Sequence, residues 1–392
     1  MSSLSFRRFT NAYALREVDP AALIELLRPH AAHLAANGAM LPTDPDRLDI
    51  ERVEVALLTT SVGELPIDLL DALWHIHEMS TPAGMESLLS AVEQAGLNLP
   101  HDHLAPADIA TRVWLADAEL LRRCHTELSV SRRRSFETFV PAKGTVLAWV
   151  PPGPEKIAAL DGAVAAWYSA NRRGLGARVL FFDHGDELRF LVRHGGPYRR
   201  EGSLDDGKPG CVRYRPMAHG VVTFNRKTWE LRINGGTKKE RTAYRELVGQ
   251  HIFGRRDMFP PDPDRYDLEP LRAVGRRSLV CTDVGGLASV RLVELSLDVG
   301  GPYHRRKVEK ADDVLVALEA AGETIASDSL LTSATFEVRF ADGRKPRPVT
   351  IRHGNTASYT RDDDAELIES FLRRRGFVKG TREVAHAALA SA

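Results

Sequence analysis

Three carboxylates, Asp183, Asp186 and Glu187, crowd one short stretch beside His184. Carboxylates so placed could hold a divalent ion that activates water. A metal-dependent nuclease would also need a lysine or another carboxylate close behind, and Glu187 is followed by Leu188 and Arg189. The stretch reads better as a solvated hairpin tip, and no metal is expected there. His75 and His77 point to different faces of a helix, so they cannot share an ion as an i, i+4 pair would. His101 and His103 flank Asp102 with no third ligand nearby. All four read as surface histidines.

The cysteines Cys124, Cys211 and Cys281 lie too far apart for a metal knuckle and are odd in number, so they read as reduced thiols. Arg173-Gly174-Leu175-Gly176 runs from a helix into a strand, the reverse of a dinucleotide fingerprint. Asp283-Val284-Gly285-Gly286 lacks the lysine and hydroxyl that complete a phosphate loop. There is no GxSxG elbow. No residue is assigned a catalytic role, no cofactor is expected, and the reading leans away from an enzyme.

The remaining chemistry is basic. Arginine pairs and triplets recur through the later two thirds of the chain, many at expected strand or helix ends. Phosphate contacts need guanidinium groups on such loops and ends, and nearby tyrosines could stack on bases. The residues expected to touch nucleic acid are Arg193, Tyr198, Arg199, Arg200, Arg255, Arg256, Arg276, Arg277, Arg305, Arg306 and Lys307. Arg193 should share a strand face with Leu191 while His194 points the other way.

The elements that must position these residues follow from periodicity and punctuation. Asp19-Pro20 starts a helix, with Leu23, Ile24 and Leu27 on one face. Similar stretches begin near Ile50, Pro66 and Thr81, and a last one is expected from about Ala107 to Val130. From about Arg132 strand patterns appear. Thr145 to Val150 reads as a strand, Pro154 opens a helix, and hairpins are expected at Arg178 to Val192 and Gly220 to Ile233. Thr237 and Glu240 form a capping-box pair at the start of another helix. Phe259 to Pro270, with four prolines and three aspartates, reads as an exposed linker. After it come strands near Leu279 to Thr282 and Val290 to Leu297, a helix from Asp312 to Ala321, a hairpin turning at Ala341-Asp342-Gly343, and a helix from Asp362 to Arg375. Gly195-Gly196-Pro197-Tyr198 recurs as Gly300-Gly301-Pro302-Tyr303, and chance explains so short an echo better than duplication.

A chain of 392 residues is long for one domain, and 43% hydrophobic content supports real cores. The fold class is multi-domain α+β: a helical N-terminal domain followed by two mixed α/β modules with antiparallel hairpins. The boundaries are 1–138 for an acidic helical domain, 139–259 for a basic α+β domain, 260–270 for a Pro-rich linker, 271–378 for a second α+β domain and 379–392 for a tail. Formal net charge is zero, yet residues 1–130 hold 9 Lys+Arg against 19 Asp+Glu, and the remainder hold 44 against 34. No apolar run is long enough to cross a membrane, no secretory signal is readable, and a cytoplasmic protein is expected.

Three functions are compatible with this pattern. The first is a non-enzymatic nucleic-acid-associated protein that binds DNA or RNA through its basic part and a protein partner through its acidic helices. The second is an interaction or scaffold subunit of a bacterial assembly, in a phage-defence or mobile-element setting, with arginines serving protein interfaces. The third is the metal-dependent nuclease.

Overall fold

The computed structural model describes residues 15–59, 65–99, 105–131, 133–142, 145, 149–205, 207–261, 264–361 and 364–379. The protein is a mixed α+β chain that divides into two compact units, one ending at Ser131 and the other starting at Arg132.

The first unit is helical, with α1 (Pro20–Leu27), α2 (Ala31–Ala36), α3 (Ile50–Thr59), α4 (Ile67–Met79), α5 (Pro82–Gln94), α6 (Pro106–Ala116) and α7 (Ala118–Ser131). Their apolar faces meet in one core that includes Leu23, Leu27, Leu69, Leu73, Ile76, Leu88 and Val113. Asp19 caps α1, its Oδ1 accepting from the amides of Ala21 and Ala22. Asp108 on α6 is buried; it accepts from the Asp19 amide at 2.7 Å and from Arg112 Nε at 2.7 Å, tying α6 to the start of α1. The single helix expected from Ala107 to Val130 is two. Asp117 is extended at φ −156, ψ 92, and its carboxylate caps the second helix through the Leu120 amide at 2.9 Å. A short polar side chain offering the backbone an alternative partner is the usual reason a helix restarts. His101 and His103 lie outside the described residues.

The second unit is built on a ten-stranded sheet in which every pairing is antiparallel. Its strands are β1 (Ser135–Phe139), β2 (Arg178–His184), β3 (Glu187–Gly195), β6 (Met217–Asn225), β7 (Glu230–Asn234), β8 (Leu287–Gly300), β9 (Arg305–Lys310), β10 (Leu330–Phe340), β11 (Arg347–Arg352) and β12 (Thr356–Ser358). Their order is β2-β3-β6-β7-β1-β12-β11-β10-β8-β9. A separate two-stranded ribbon, β4 (Arg199–Asp205) and β5 (Lys208–Tyr214), interrupts the chain between β3 and β6. The helices are α8 (Pro154–Ala170), α9 (Lys238–Phe253), α10 (Glu269–Ala273), α11 (Val314–Ala320) and α12 (Ala365–Arg374).

Side chains alternate between the two faces of a strand, and register shows which face each core occupies. Glu137 and Phe139 of β1 face α9, where Glu137 pairs with Arg241 at 2.8 Å and the Arg245 guanidinium lies over Phe139. The core there holds Leu160, Val164, Val222, Phe224, Leu231 and Val248. Thr138 of β1 points to the other face and meets the Tyr266 hydroxyl at 3.4 Å. That is the face on which Ala357, Ile351 and Phe336 pack against Ile368 and Phe371 of α12. The two cores therefore lie on opposite faces of one sheet, and the change-over falls at β1–β12.

Three expectations are corrected. β1, which the expected boundaries leave almost wholly in the helical domain, pairs with β7 of the first expected module on one side and with β12 of the second on the other, so the modules share a sheet. Phe259 to Pro270 is not an exposed linker. Phe259, Arg265, Tyr266 and Leu268 are buried, and the Tyr266 amide donates to the Gly354 carbonyl at 2.6 Å. Leu279 to Thr282 is no strand but the end of a 3-10 turn, and its apolar letters record burial of Leu279 and Cys281 rather than pairing. Residues 146–148 of the strand expected at Thr145 to Val150, and 380–392 of the tail, lie outside the described residues. No helix among the described residues is long and apolar enough to cross a membrane.

Candidate nucleic-acid interface

The ribbon β4–β5 carries a run of exposed basic residues. Along it Arg199, Arg200, Gly202, Lys208, Pro209, Gly210, Cys211, Val212, Arg213 and Tyr214 are all exposed, and Glu201 is half-buried. Register sets Arg199 opposite Tyr214, Arg200 opposite Arg213, Glu201 opposite Val212 and Gly202 opposite Cys211. One face thus presents Arg200 and Arg213 side by side, with Gly202 and Cys211 next along it. Glu201 lies on the other face and accepts from the Tyr214 hydroxyl at 3.0 Å. Like charges directly opposite on a ribbon repel. Neither arginine forms an ion pair among the described residues.

The ribbon's base explains the first Gly-Gly-Pro-Tyr. A Cβ on Gly195 would stand 2.5 Å from Arg215 Cδ and 2.7 Å from the Arg173 carbonyl, so no side chain fits there. The Gly196 amide donates to the Pro216 carbonyl at 2.7 Å, and Arg215 donates to the Gly196 carbonyl at 3.0 Å while its guanidinium covers the Tyr198 ring at 4.1 Å. In the second copy Gly300 and Gly301 sit at φ 73 and 80 in the tight turn between β8 and β9. The two strings share letters but not conformation, so their likeness marks no structural repeat.

Sheet topology separates the other expected residues. β3 and β8 run in opposite directions, so the ribbon and the β8–β9 turn leave from opposite margins of the sheet. Arg305, Arg306 and Lys307 are exposed on β9, where Lys307 pairs with Glu309 at 2.6 Å. α9 starts at the ribbon margin and runs back, which puts Arg255 and Arg256 at the far end. There they pair with Asp257 at 3.2 Å and Glu246 at 2.5 Å. Arg276 and Arg277 lie just before β8, on the ribbon's margin but toward the other edge of the sheet, with Arg276 3.5 Å from Glu319. Arg193 is exposed on β3, and His194 points the other way, stacked on Tyr168 at 4.3 Å. The structure thus joins Tyr198, Arg199 and Arg200 with Arg213 and Arg215, and does not gather all the basic pairs on one side.

The acidic hairpin tip is neutralised. Asp183 pairs with Arg226 at 2.6 Å, Asp186 with Lys227 at 2.5 Å and Glu187 with Arg189 at 2.7 Å. No group of three histidine, cysteine or acidic side chains among the described residues could hold a metal ion.

Sequence reasoning missed a second charged cluster. Glu230 and Arg232 of β7 face the α12 side of the sheet, and both are buried with Arg265. Arg232 meets Glu230 at 2.8 Å and Glu369 of α12 at 2.8 Å, Arg265 also pairs with Glu230, and Arg373 meets Glu369 at 3.1 Å. Burial opposes the Glu230 charge, but Arg232 and Arg265 outweigh it and hold the carboxyl near 2. Burial in turn pushes the Tyr359 hydroxyl, which donates to Glu369 at 3.0 Å, well up. With Tyr266 and Tyr359 these groups enclose only about 10 Å³, room for about one water. The cluster ties α12 to β7 across the seam and offers no substrate a place to bind. Only the alternation of Glu230 and Arg232 with Leu231 and Ile233 hinted at it.

No protein-family model matches the chain, and no curated protein matches it.

Proposed function

We propose that this is a non-enzymatic nucleic-acid-associated protein whose α+β unit grips phosphates through the β4–β5 ribbon. The observation that carries the reading is the Arg200–Arg213 pair, two unneutralised guanidinium groups set face to face on an exposed ribbon. An isolated two-stranded hairpin is marginally stable in water. A polyanion lying along it would relieve the repulsion and order the ribbon together. In the same reading 139–259 and 271–378 work as two modules on their common sheet, and the protein acts in the cytoplasm.

The helical unit is assigned a protein partner. It carries the acidic excess and exposes Met40, Val55 and Ile67. Val55 borders a groove of about 340 Å³ lined also by Asn37, Gly38, Asp49, Glu51 and Arg52.

The test is fluorescence anisotropy with labelled single- and double-stranded oligonucleotides. Counterion release makes affinity fall steeply between about 50 and 200 mM salt. Arg199→Glu with Arg200→Glu should weaken binding with little sequence dependence and leave the melting temperature unchanged. Absence of binding at low salt, or indifference to the double reversal, would overturn the reading and put the scaffold function ahead.

A further inference from the structure

We infer that the β4–β5 ribbon enters the major groove of duplex DNA, an inference that rests on the nucleic-acid reading above. The groove of B-form DNA is about 12 Å wide and admits a two-stranded ribbon, whereas the major groove of an RNA duplex is too deep and narrow for side chains to read. Strands about 4.8 Å apart make such a ribbon slender, and this one is thin as well. Gly202 and Gly210 carry no side chain, and a Cβ on Gly202 would meet nothing within 4 Å. Glycine within a strand marks a place where another backbone can approach closely.

The aromatic rings point the same way. Binding a single strand calls for free rings on which bases stack. The ribbon has two rings, Tyr198, 71% exposed with Arg215 over one face, and Tyr214, with its hydroxyl tied to Glu201, too few for a run of stacked bases. The ribbon instead offers a face with two arginines, the side chain best suited to the paired acceptors on a guanine edge and to phosphate. Arg200 and Arg213 lie opposite one another, so both meet the groove together, while Glu201 is kept on the reverse face.

Cys211 supplies a direct reporter. It is exposed on the arginine face, next to Arg213 along the ribbon but for one residue, whereas Cys124 and Cys281 are buried. The full-length protein is mixed with DNA duplexes carrying an activated disulfide tether on either a major-groove or a minor-groove position. The Cys211 thiolate attacks the tether sulfur, forms the mixed disulfide and expels the activating thiol, so the exchange needs no added oxidant. Capture should be confined to the major-groove tether and lost in Cys211→Ser. Anisotropy of a DNA duplex, the matching RNA duplex and the single strand should show about tenfold preference for the DNA duplex, abolished by Arg200→Gln with Arg213→Gln. Equal binding to all three, or capture by the minor-groove tether alone, overturns the groove assignment and leaves phosphate binding standing. Binding to none of them overturns both.

Discussion

At the seam of the sheet, Arg232 and Arg265 are 5% and 2% exposed and both meet Glu230. On the ribbon, Arg200 and Arg213 stand opposite each other in solvent and meet no carboxylate among the described residues. Arg232 and both ribbon arginines sit on strands and Arg265 on the bend before Tyr266, each two residues or fewer from a carboxylate in sequence or register. What separates them is burial. In the seam, leaving a charge unpaired would cost several kcal/mol, so every arginine there is matched and the cluster serves folding. On the ribbon, water screens an unmatched charge at little cost, so it can be kept for a partner. The total of charged residues says nothing about this division.

The largest expected effect is at the seam. Glu230→Gln removes the carboxylate shared by two buried guanidinium groups and should destabilise the α+β unit by about 3–5 kcal/mol, measured by urea denaturation. Glu230 also sets an acid limit. Its ordinary value of 4.5 falls to about 2 in the folded chain, so its contribution is complete above about pH 4.5 and lost as pH drops toward 2. Acid unfolding followed by circular dichroism should lose that limb in Glu230→Gln. A variant as stable and as acid-resistant as the parent would break the contrast between the regions.

A smaller effect is expected where α8 meets α9. The hydroxyls of Tyr168 and Tyr244 bond to each other in the core, and Tyr244 also packs against Gly220, leaving no room for a side chain there. Tyr168→Phe strands the Tyr244 hydroxyl and should cost about 1–3 kcal/mol. The thermal midpoint in scanning calorimetry checks it.

Next comes His219 on β6, close to where the ribbon rejoins the sheet. Burial first, then His194, Arg133 and Arg193, lowers it from 6.5 to about 4. Between those values the unfolded chain holds a proton that the folded chain does not, so stability should fall as pH is lowered through that window and level off below it. His219→Gln should flatten the slope of urea midpoints taken from pH 7 to pH 5. An unchanged slope would remove His219 as its source.

How much of this was legible varies with the kind of residue. Local signals were readable because backbone chemistry is local. The Thr237–Glu240 capping box forms, with the Glu240 amide donating to Thr237 at 3.2 Å and the Thr237 amide to Glu240 at 2.8 Å. Gly376 closes α12 at φ 77, and the hairpin turning at Gly185 has φ 69 there. The ribbon left no such trace, because exposed strands need not alternate apolar with polar residues, and its glycines, proline and charges read as loop. The seam was hidden for the opposite reason. Charged letters read as surface, and only pairing with Glu369 and Arg265, both distant in sequence, allows Arg232 and Glu230 to be buried. That β1 and β12 join two modules is likewise a long-range fact, carried by five- and three-residue strands too short to show a pattern. Of the residues proposed for the interface, Tyr198, Arg199 and Arg200 were expected because they cluster in sequence, while Arg213 was not, because its neighbour across the ribbon is thirteen residues away.

The smallest effect concerns Arg255 and Arg256, which in sequence look as ready for phosphate as Arg199 and Arg200. In the fold they stand past the end of α9, on the margin away from the ribbon, and each meets a carboxylate. Exposed pairs of this kind contribute little to stability, so Arg255→Ala with Arg256→Ala should shift the urea midpoint little. Binding discriminates further. Any phosphate reaching these guanidinium groups must first displace Asp257 and Glu246, whereas nothing among the described residues has to leave Arg200 or Arg213. The alanine pair should therefore leave oligonucleotide affinity within about threefold of the parent, and the salt dependence should keep its slope, since that slope counts the phosphates neutralised. A drop as large as that from Arg199→Glu with Arg200→Glu would show that nucleic acid wraps both margins of the sheet. The contrast would then lie between buried and exposed arginines in general, with no special place for the ribbon.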